Sequence, residues 1–226
     1  MQMNIVYPRS GALTPELTQA IAQDFSDFEK ALYSYDYDTD DYGYFHNIDV
    51  QSFVDYFLIN EFTANYDAGW LSTYLYRDIG GKYKMVIWDF NSACDNYLQS
   101  TMTPQHFEMQ SSVWFYMLIK DEDFVNRVID RYWELRETYL NEEYLIDYID
   151  QTVDYLGPAI DRNFEVWGDT FEEYRPLEPE DRNPEDYEAA ITQLKEFIYK
   201  RGTWMDTYIE ALLQYCHESK VKKFNH

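Results

Sequence analysis

Two aspartates, Asp67 and Asp89, carry the clearest chemical signal in the sequence. Asp67 lies just before the first strand of a predicted β-hairpin, and Asp89 lies just after the second strand. Paired strands run about 5 Å apart, so a hairpin brings the residues at its open end into one neighbourhood. One carboxylate could then act as a base while the other holds a metal ion.

Phosphoryl transfer to a hydroxyl is a reaction that needs such a pair. It requires a base-like Asp near the attacking hydroxyl and a second Asp that holds Mg²⁺ on the phosphates, as in a protein-kinase active site. Acidic residues flank many hairpins, however, because turns and helix caps favour them. The spacing therefore leaves a structural alternative open, in which one of Asp67 and Asp89 is a cap and the other a turn residue.

Other catalytic patterns are missing from the sequence. The four histidines are scattered, and no HExxH, CxxC, GxSxG, GxGxxG or Walker motif occurs. The run from Asp36 through Asp38 to Asp40 resembles the start of a calcium loop, but Asp41 replaces the turn glycine and Asn47 replaces the bidentate glutamate. We therefore expect this run to be a solvated acidic loop.

Two helices are predicted upstream of the hairpin. Thr14-Pro15-Glu16 is typical of a helix start, and apolar residues follow it at helical spacing up to Leu32. Asp49 predicts the N-cap of a second helix, whose apolar stripe ends near residue 64. This second helix must deliver Asp67 to the open end of the hairpin.

The hairpin itself is predicted over residues 72–78 and 82–88. Both segments are rich in aromatic and β-branched side chains, and Gly80-Gly81 between them is a turn signal. Along the second strand, Tyr83, Met85 and Ile87 alternate with Lys82, Lys84 and Val86, as expected for a strand.

The remainder of the chain is predicted to be helical. Helices are expected over residues 110–119, 121–140, 142–170 with a break at Gly157-Pro158, and about 186–217, with a proline-rich loop at 174–186. Only 8 Gly and 7 Pro accompany 23 Tyr, 14 Phe and 6 Trp, which favours helical layers over a β-sandwich. The predicted fold class is α+β, mostly α-helical, in a single domain over residues 1–226.

The charge excludes some partners. The chain has 18 Lys and Arg against 42 Asp and Glu, a formal net charge of −24. This charge opposes direct binding to nucleic acid and allows binding of cations and basic partners.

We predict no membrane insertion, because no run of about 18 apolar residues occurs. Whether Cys94 and Cys216 pair cannot be decided from their positions in the sequence.

Four segments, in order, resemble one protein family. They are Asn60-Glu61-Phe62-Thr63-Ala64-Asn65-Tyr66-Asp67, Ser72-Thr73-Tyr74-Leu75-Tyr76-Arg77-Asp78, Gly80-Gly81-Lys82 and Trp88-Asp89-Phe90-Asn91. These segments are similar to the motifs N-E-L-T-x-N-x-D, Y-x-Y-K/R-D, G-G-K and W-D-F-D of the CotH family of bacterial spore-coat and secreted kinases. The resemblance covers most of the chain.

The resemblance implies roles for individual residues. Asp67 matches the catalytic Asp, Asn65 is implied to orient it, and Asp89 matches the metal-binding Asp. Asn91 stands where the family has a second Asp, so it could coordinate metal through its carbonyl oxygen but adds no negative charge. Tyr83, on the second hairpin strand, is implied as a surface on which adenine stacks.

The implied fold is the C-terminal lobe of a kinase-like domain, with the hairpin carrying the active-site aspartates. The implied cofactors are ATP and Mg²⁺ or Mn²⁺, and the implied substrate is Ser or Thr of a coat or cell-surface protein. The implied location is extracellular, at the cell surface or in the spore coat.

Two features qualify the implied activity. The family's N-terminal lobe, with its nucleotide-gripping strands and basic phosphate ligand, is not recognised in this sequence, so we expect activity from the full-length protein and little from this chain alone. The sequence also departs from the family motif at two places. These are Asn91 and the pair Cys94-Asp95, where the family has small residues and Gly, and they leave an alternative function open. In that alternative the protein is a pseudokinase or a structural surface protein.

Overall fold

The computed structural model describes residues 3–221. They form a mostly helical fold with one two-stranded antiparallel sheet, which confirms the predicted fold class. In chain order the elements are α1 (Pro15–Tyr33), α2 (Val50–Phe62), β1 (Tyr74–Tyr76), β2 (Lys84–Val86), α3 (Phe115–Leu118), α4 (Glu122–Arg136), α5 (Glu142–Leu156), α6 (Pro158–Trp167) and α7 (Tyr187–Tyr208).

Both N-terminal helices begin at the predicted caps. Thr14 Oγ1 accepts a hydrogen bond from the Leu17 amide at 3.2 Å, and Asp49 Oδ1 accepts one from the Ser52 amide at 3.1 Å. Helix α2 is the central element, because it contacts α4, α7 and β2 and buries eight of its 13 residues. Burial on several sides explains why its sequence is apolar nearly all round.

The hairpin lies against α2 with shorter strands than predicted. Leu75 pairs with Met85, which is buried, and the Met85 amide donates to Ser52 Oγ on α2 at 2.9 Å. Ile87, the last residue of this alternation, is 58% exposed. Strand pairing ends at Val86, so the alternation of faces does not continue beyond it.

The C-terminal helices follow the predicted pattern. The break between α5 and α6 falls at Gly157, which has φ 44°, and Pro158 begins α6. Arg136 at the end of α4 ties the neighbouring helices together, since its guanidinium donates to Glu142 of α5 at 2.7 Å and to Asp206 of α7 at 2.8 Å.

The acidic run around Asp38 folds against the C-terminal end of the described chain. Asp38 is buried, and its Oδ2 accepts a hydrogen bond from the Ser219 amide at 2.9 Å. The neighbouring Tyr37 hydroxyl donates to the His217 carbonyl at 2.6 Å. The prediction of a solvated loop is therefore wrong for Asp38, because its carboxylate binds backbone far away in the sequence.

The core is aromatic and contains no disulfide. Phe28, on α1, meets Trp114 edge to face with ring centroids 5.8 Å apart. Cys94 and Cys216 are both free thiols. Across residues 3–221, no helix is long and apolar enough to cross a membrane.

Candidate active site

A sharp turn after α2 carries Asp67. Ala64 has a left-handed backbone with φ 45°, which lets the chain leave the helix axis at once. The Asp67 carbonyl then accepts hydrogen bonds from the amides of Trp70 at 3.2 Å and Leu71 at 2.8 Å. The turn leaves the Asp67 side chain partly exposed above a buried scaffold.

Asp89 follows the end of β2 and faces back towards that turn. Its backbone is also left-handed, with φ 61°, and its side chain is exposed. Ser72, which ends the turn after Asp67, donates its hydroxyl to Asp89 Oδ2 at 3.1 Å. Asp89 is thus held by the segment that carries Asp67.

Further hydrogen bonds join the two segments, which we name the Asp67 segment (residues 63–72) and the Asp89 segment (residues 89–95). They run from the Cys94 amide to the Thr63 carbonyl at 2.7 Å, from the Ser92 hydroxyl to Asp67 Oδ2 at 3.0 Å, and from Asn65 Nδ2 to the Asp89 carbonyl at 3.3 Å. The structure therefore brings both predicted aspartates into one neighbourhood. Interlocking loop contacts, beyond strand pairing, hold them there.

Asn65 spans the two segments. It is 2% exposed, and its Nδ2 donates to Asn60 Oδ1 at 3.0 Å and to the Asp89 carbonyl. These two acceptors fix the orientation of the Asn65 side-chain amide. If the amide were flipped, Asn65 Oδ1 would face two other oxygens and repel them. The opposite atom, Asn65 Oδ1, is buried without a hydrogen-bond donor among the described residues. The side-chain amide of Asn65 thus binds the Asp89 backbone, while the Asn65 carbonyl accepts a hydrogen bond from the Ala68 amide at 3.1 Å in the turn that carries Asp67.

Backbone strain is concentrated in this region. Across residues 3–221, five residues other than glycine have positive φ, and all of them lie in or beside the two segments: Ala64, Ser72, Asp89, Cys94 and Asp95. A left-handed residue other than glycine costs about 1–2 kcal/mol, and such strain clusters at functional sites. The concentration supports a functional role for this loop pair.

The other predicted site residues have different positions. Asn91 is exposed next to Asp89, and its carbonyl accepts a hydrogen bond from Asn96 Nδ2 at 2.8 Å. Asn91 is therefore open to solvent two residues after Asp89.

Tyr83 does not join the site. Its ring is 8% exposed and packs against Phe25 at 5.9 Å and Phe28 at 5.8 Å, while its hydroxyl donates to Asp24 at 2.9 Å. Burial, together with the bond to Asp24, raises the pKa of Tyr83 to about 12. The predicted adenine-stacking role does not fit this position, since the ring has no open face.

The thiol of Cys94 is also unsuited to chemistry. Burial raises the pKa of this thiol to about 12, so it stays protonated at neutral pH.

The donors around Asp89 fit a hard divalent cation. They are oxygens only: the Asp89 carboxylate and the Ser72 hydroxyl, with the exposed Asn91 two residues further along the chain. Within residues 3–221 no three His, Cys, Asp or Glu side chains form a metal-binding group. Mg²⁺ suits such a sparse set, since it binds through one or two carboxylates and keeps water or phosphate oxygens as its other ligands.

A buried ion pair lies at the end of α2, directly before the Asp67 segment, and it was not predicted from the sequence. Glu61 and Arg201 are both fully buried and form a direct salt bridge. The Glu61 carboxylate also accepts hydrogen bonds from the amides of Met109 at 2.8 Å and Glu108 at 3.0 Å. Burial raises the pKa of Glu61, while the Arg201 guanidinium and these amides oppose the rise.

Arg201 connects three distant parts of the chain. Besides Glu61 on α2, it donates to the carbonyls of Pro104 at 2.9 Å and His106 at 2.5 Å. A sequence signal for it did exist, because Arg201 lies at helical spacing between Ile198 and Met205 on the apolar face of α7. A charge on a buried face indicates a buried partner.

Gly69 gives a prediction about the turn that holds Asp67. Its φ is 80°, and an added Cβ would lie 2.5 Å from Cβ of the buried Ser112. We expect Gly69→Ala to lower the free energy of unfolding by about 2–4 kcal/mol, from left-handed strain plus overpacking. Urea-induced unfolding measures the change.

Gly80 supplies the matched control for this prediction. It has a similar φ of 72°, but an added Cβ would meet no atom within 4 Å. We expect Gly80→Ala to cost only the strain, about 1–2 kcal/mol. Equal losses in the two variants would show that the contact with Ser112 is unimportant.

The site consists of a partly exposed carboxylate on a turn, a hairpin, and a second carboxylate interlocked with the first. On a mostly helical fold, this arrangement is compatible with a kinase-like protein. A family model described as CotH kinase protein matches residues 11–205, and the chain belongs to this family. The match confirms the family predicted from the motifs. Comparisons with curated proteins and with solved structures gave no match.

Proposed function

We propose that the full-length protein is an ATP- and divalent-metal-dependent protein kinase that phosphorylates Ser or Thr of secreted or coat proteins. The observation that carries this proposal is the interlocking of Asp67 and Asp89 across two strained loop segments. Membership of a kinase family supports the reaction class. The substrate and the location follow from the resemblance of the motifs.

In this mechanism Asp67 acts on the acceptor. Its partly exposed carboxylate accepts a hydrogen bond from the Ser or Thr hydroxyl and takes the proton as the oxygen attacks the γ-phosphorus. The new O–P bond forms as the bond between the γ-phosphorus and the bridging oxygen breaks, and ADP leaves.

Asp89 serves the nucleotide side. Its carboxylate, with the oxygens of Ser72 and Asn91, would hold Mg²⁺ or Mn²⁺, which neutralises charge on the phosphates when bound. Asn65 keeps Asp89 in place through its bond to the Asp89 carbonyl.

The net charge of −24 makes the metal especially important. A polyanionic nucleotide is repelled by the acidic surface, and the repulsion weakens as divalent cations or added salt compensate the charge. Activity should therefore rise steeply with metal concentration.

One observation favours a second candidate function. Asn91 occupies the motif position of an acidic residue and lies exposed beside Asp89, so this side of the site has one negative charge fewer. A pseudokinase that binds a partner without transferring phosphate would retain the fold and tolerate this loss.

Phosphate transfer from γ-labelled ATP to protein tests the proposal. We expect the full-length protein to incorporate label with Mg²⁺ or Mn²⁺ and to stop when a chelator is added. Asp89→Ala should weaken Mn²⁺ binding about tenfold or more in calorimetry, since it removes the only charged ligand of the proposed set.

The exposed Asp78, near the turn of the hairpin, supplies the control. Asp78→Ala removes the same charge from the chain and should leave Mn²⁺ binding unchanged. Wild-type protein that folds but neither binds Mn²⁺ nor transfers phosphate would favour the pseudokinase.

A further inference from the structure

Two serines bind the two aspartates reciprocally. Ser72 of the Asp67 segment donates to Asp89 Oδ2 at 3.1 Å, and Ser92 of the Asp89 segment donates to Asp67 Oδ2 at 3.0 Å. Each carboxylate is thus held by a hydroxyl from the other segment.

The two hydroxyls differ in their surroundings. Ser72 is partly exposed, and its hydroxyl binds the carboxylate proposed to hold metal. Ser92 is 8% exposed. The Cys94 amide, two residues further on, is tied to the Thr63 carbonyl at 2.7 Å. The hydroxyl that binds Asp67 is therefore carried by a part of the backbone that is itself held in place.

Asp67 depends on this contact for its orientation. Within the described range 3–221, Ser92 is the one residue that donates a hydrogen bond to the Asp67 carboxylate. A carboxylate without that bond is free to rotate on a partly exposed turn. With the bond, one oxygen is occupied and the other is left for an acceptor hydroxyl.

We propose that Ser92 is a positioning residue, which holds the Asp67 carboxylate in the orientation that receives the acceptor hydroxyl. The proposal rests on the kinase function proposed above. It assigns Ser92 to the acceptor side of the site, although its place in the chain is three residues after the proposed metal ligand Asp89.

Steady-state kinetics of full-length Ser92→Ala and Ser92→Thr tests the proposal. We expect Ser92→Ala to lower kcat about 10–100-fold, because a misplaced reacting group costs up to about 10²-fold. The KM for ATP and the calorimetric affinity for Mn²⁺ should stay at wild-type values, since the metal side is intact. Ser92→Thr keeps the hydroxyl and should recover most of kcat.

Ser34→Ala is the control for loss of a hydroxyl. Among the residues that the structure describes, the Ser34 hydroxyl donates to the nearby Ala31 carbonyl alone, at 2.9 Å, so kcat should not change. A wild-type or higher kcat in Ser92→Ala overturns the proposal, and a higher value would mean that Ser92 competes with the acceptor. Loss of Mn²⁺ affinity or of thermal stability together with kcat, without recovery in Ser92→Thr, also overturns it. Absence of transfer by wild-type protein overturns the proposed function itself, and this inference with it.

Discussion

Replacement of Arg201 by methionine is expected to lower the free energy of unfolding by about 3–5 kcal/mol. Arg201 and Glu61 are both 0% exposed, so the variant leaves a carboxylate buried without its positive partner. The carbonyls of Pro104 and His106 lose a donor as well. Since a typical domain is stable by about 5–15 kcal/mol, the loss is a large fraction of the total. Urea-induced unfolding followed by tryptophan fluorescence measures it.

The adjacent residue provides the control for this substitution. Lys200 on the same helix forms a surface pair with Glu196, and both side chains are 59% exposed. Lys200→Met should therefore cost less than about 1 kcal/mol. The double variant Glu61→Gln/Arg201→Met should be more stable than Arg201→Met alone, because Gln still accepts the backbone amides without leaving a buried charge. A double variant no more stable than the single one would argue against an electrostatic cause.

Asp67→Asn is expected to lower the rate of phosphate transfer by about 10²–10⁴-fold, the usual contribution of a positioned base. Asparagine has nearly the same shape and can still bond to Ser92, so the turn should remain folded. Its amide cannot take a proton from the acceptor hydroxyl. Single-turnover transfer from labelled ATP measures the rate, and calorimetry with Mn²⁺ measures the metal side separately.

The distinction between the two aspartates is the test of this assignment. Asp67→Asn should retain Mn²⁺ binding and lose transfer, whereas Asp89→Ala should lose Mn²⁺ binding. Asp78→Asn changes an exposed aspartate near the hairpin turn and should have neither effect. Transfer by Asp67→Asn at the wild-type rate would remove Asp67 from the mechanism.

Local sequence rules were sufficient for most of the fold. Thr14 and Asp49 predicted two helix starts because a cap acts over three residues, and Gly157-Pro158 predicted a break because each residue constrains its own backbone. The hairpin was predictable for the same reason. These features need no knowledge of what packs against them.

The errors and omissions share a different cause. Tyr83 and Asp38 acquire their roles from partners on distant elements, Phe25 on α1 and the Ser219 amide near the C-terminus. Periodicity shows which positions form a stripe but not which ring or amide covers them. The pair of Glu61 and Arg201 is separated by 140 residues, beyond any local pattern.

In the site, too, local geometry was predictable from the sequence and contacts between segments were not. Hairpin geometry was enough to expect Asp67 and Asp89 in one neighbourhood. The hydroxyl contacts from Ser72 and Ser92 depend on left-handed turns whose residues are not glycine, and sequence rules do not anticipate such turns.

The left-handed turns lower the stability of the fold but restrict the positions of the two carboxylates. Substituting glycine at Ala64 would relieve the left-handed strain at the loss of one buried methyl group, because glycine adopts positive φ at no steric cost. It would also enlarge the range of conformations open to the loops that hold the two carboxylates. Selection for a more heat-resistant variant would therefore tend to loosen this site, as in the general trade-off between stability and activity.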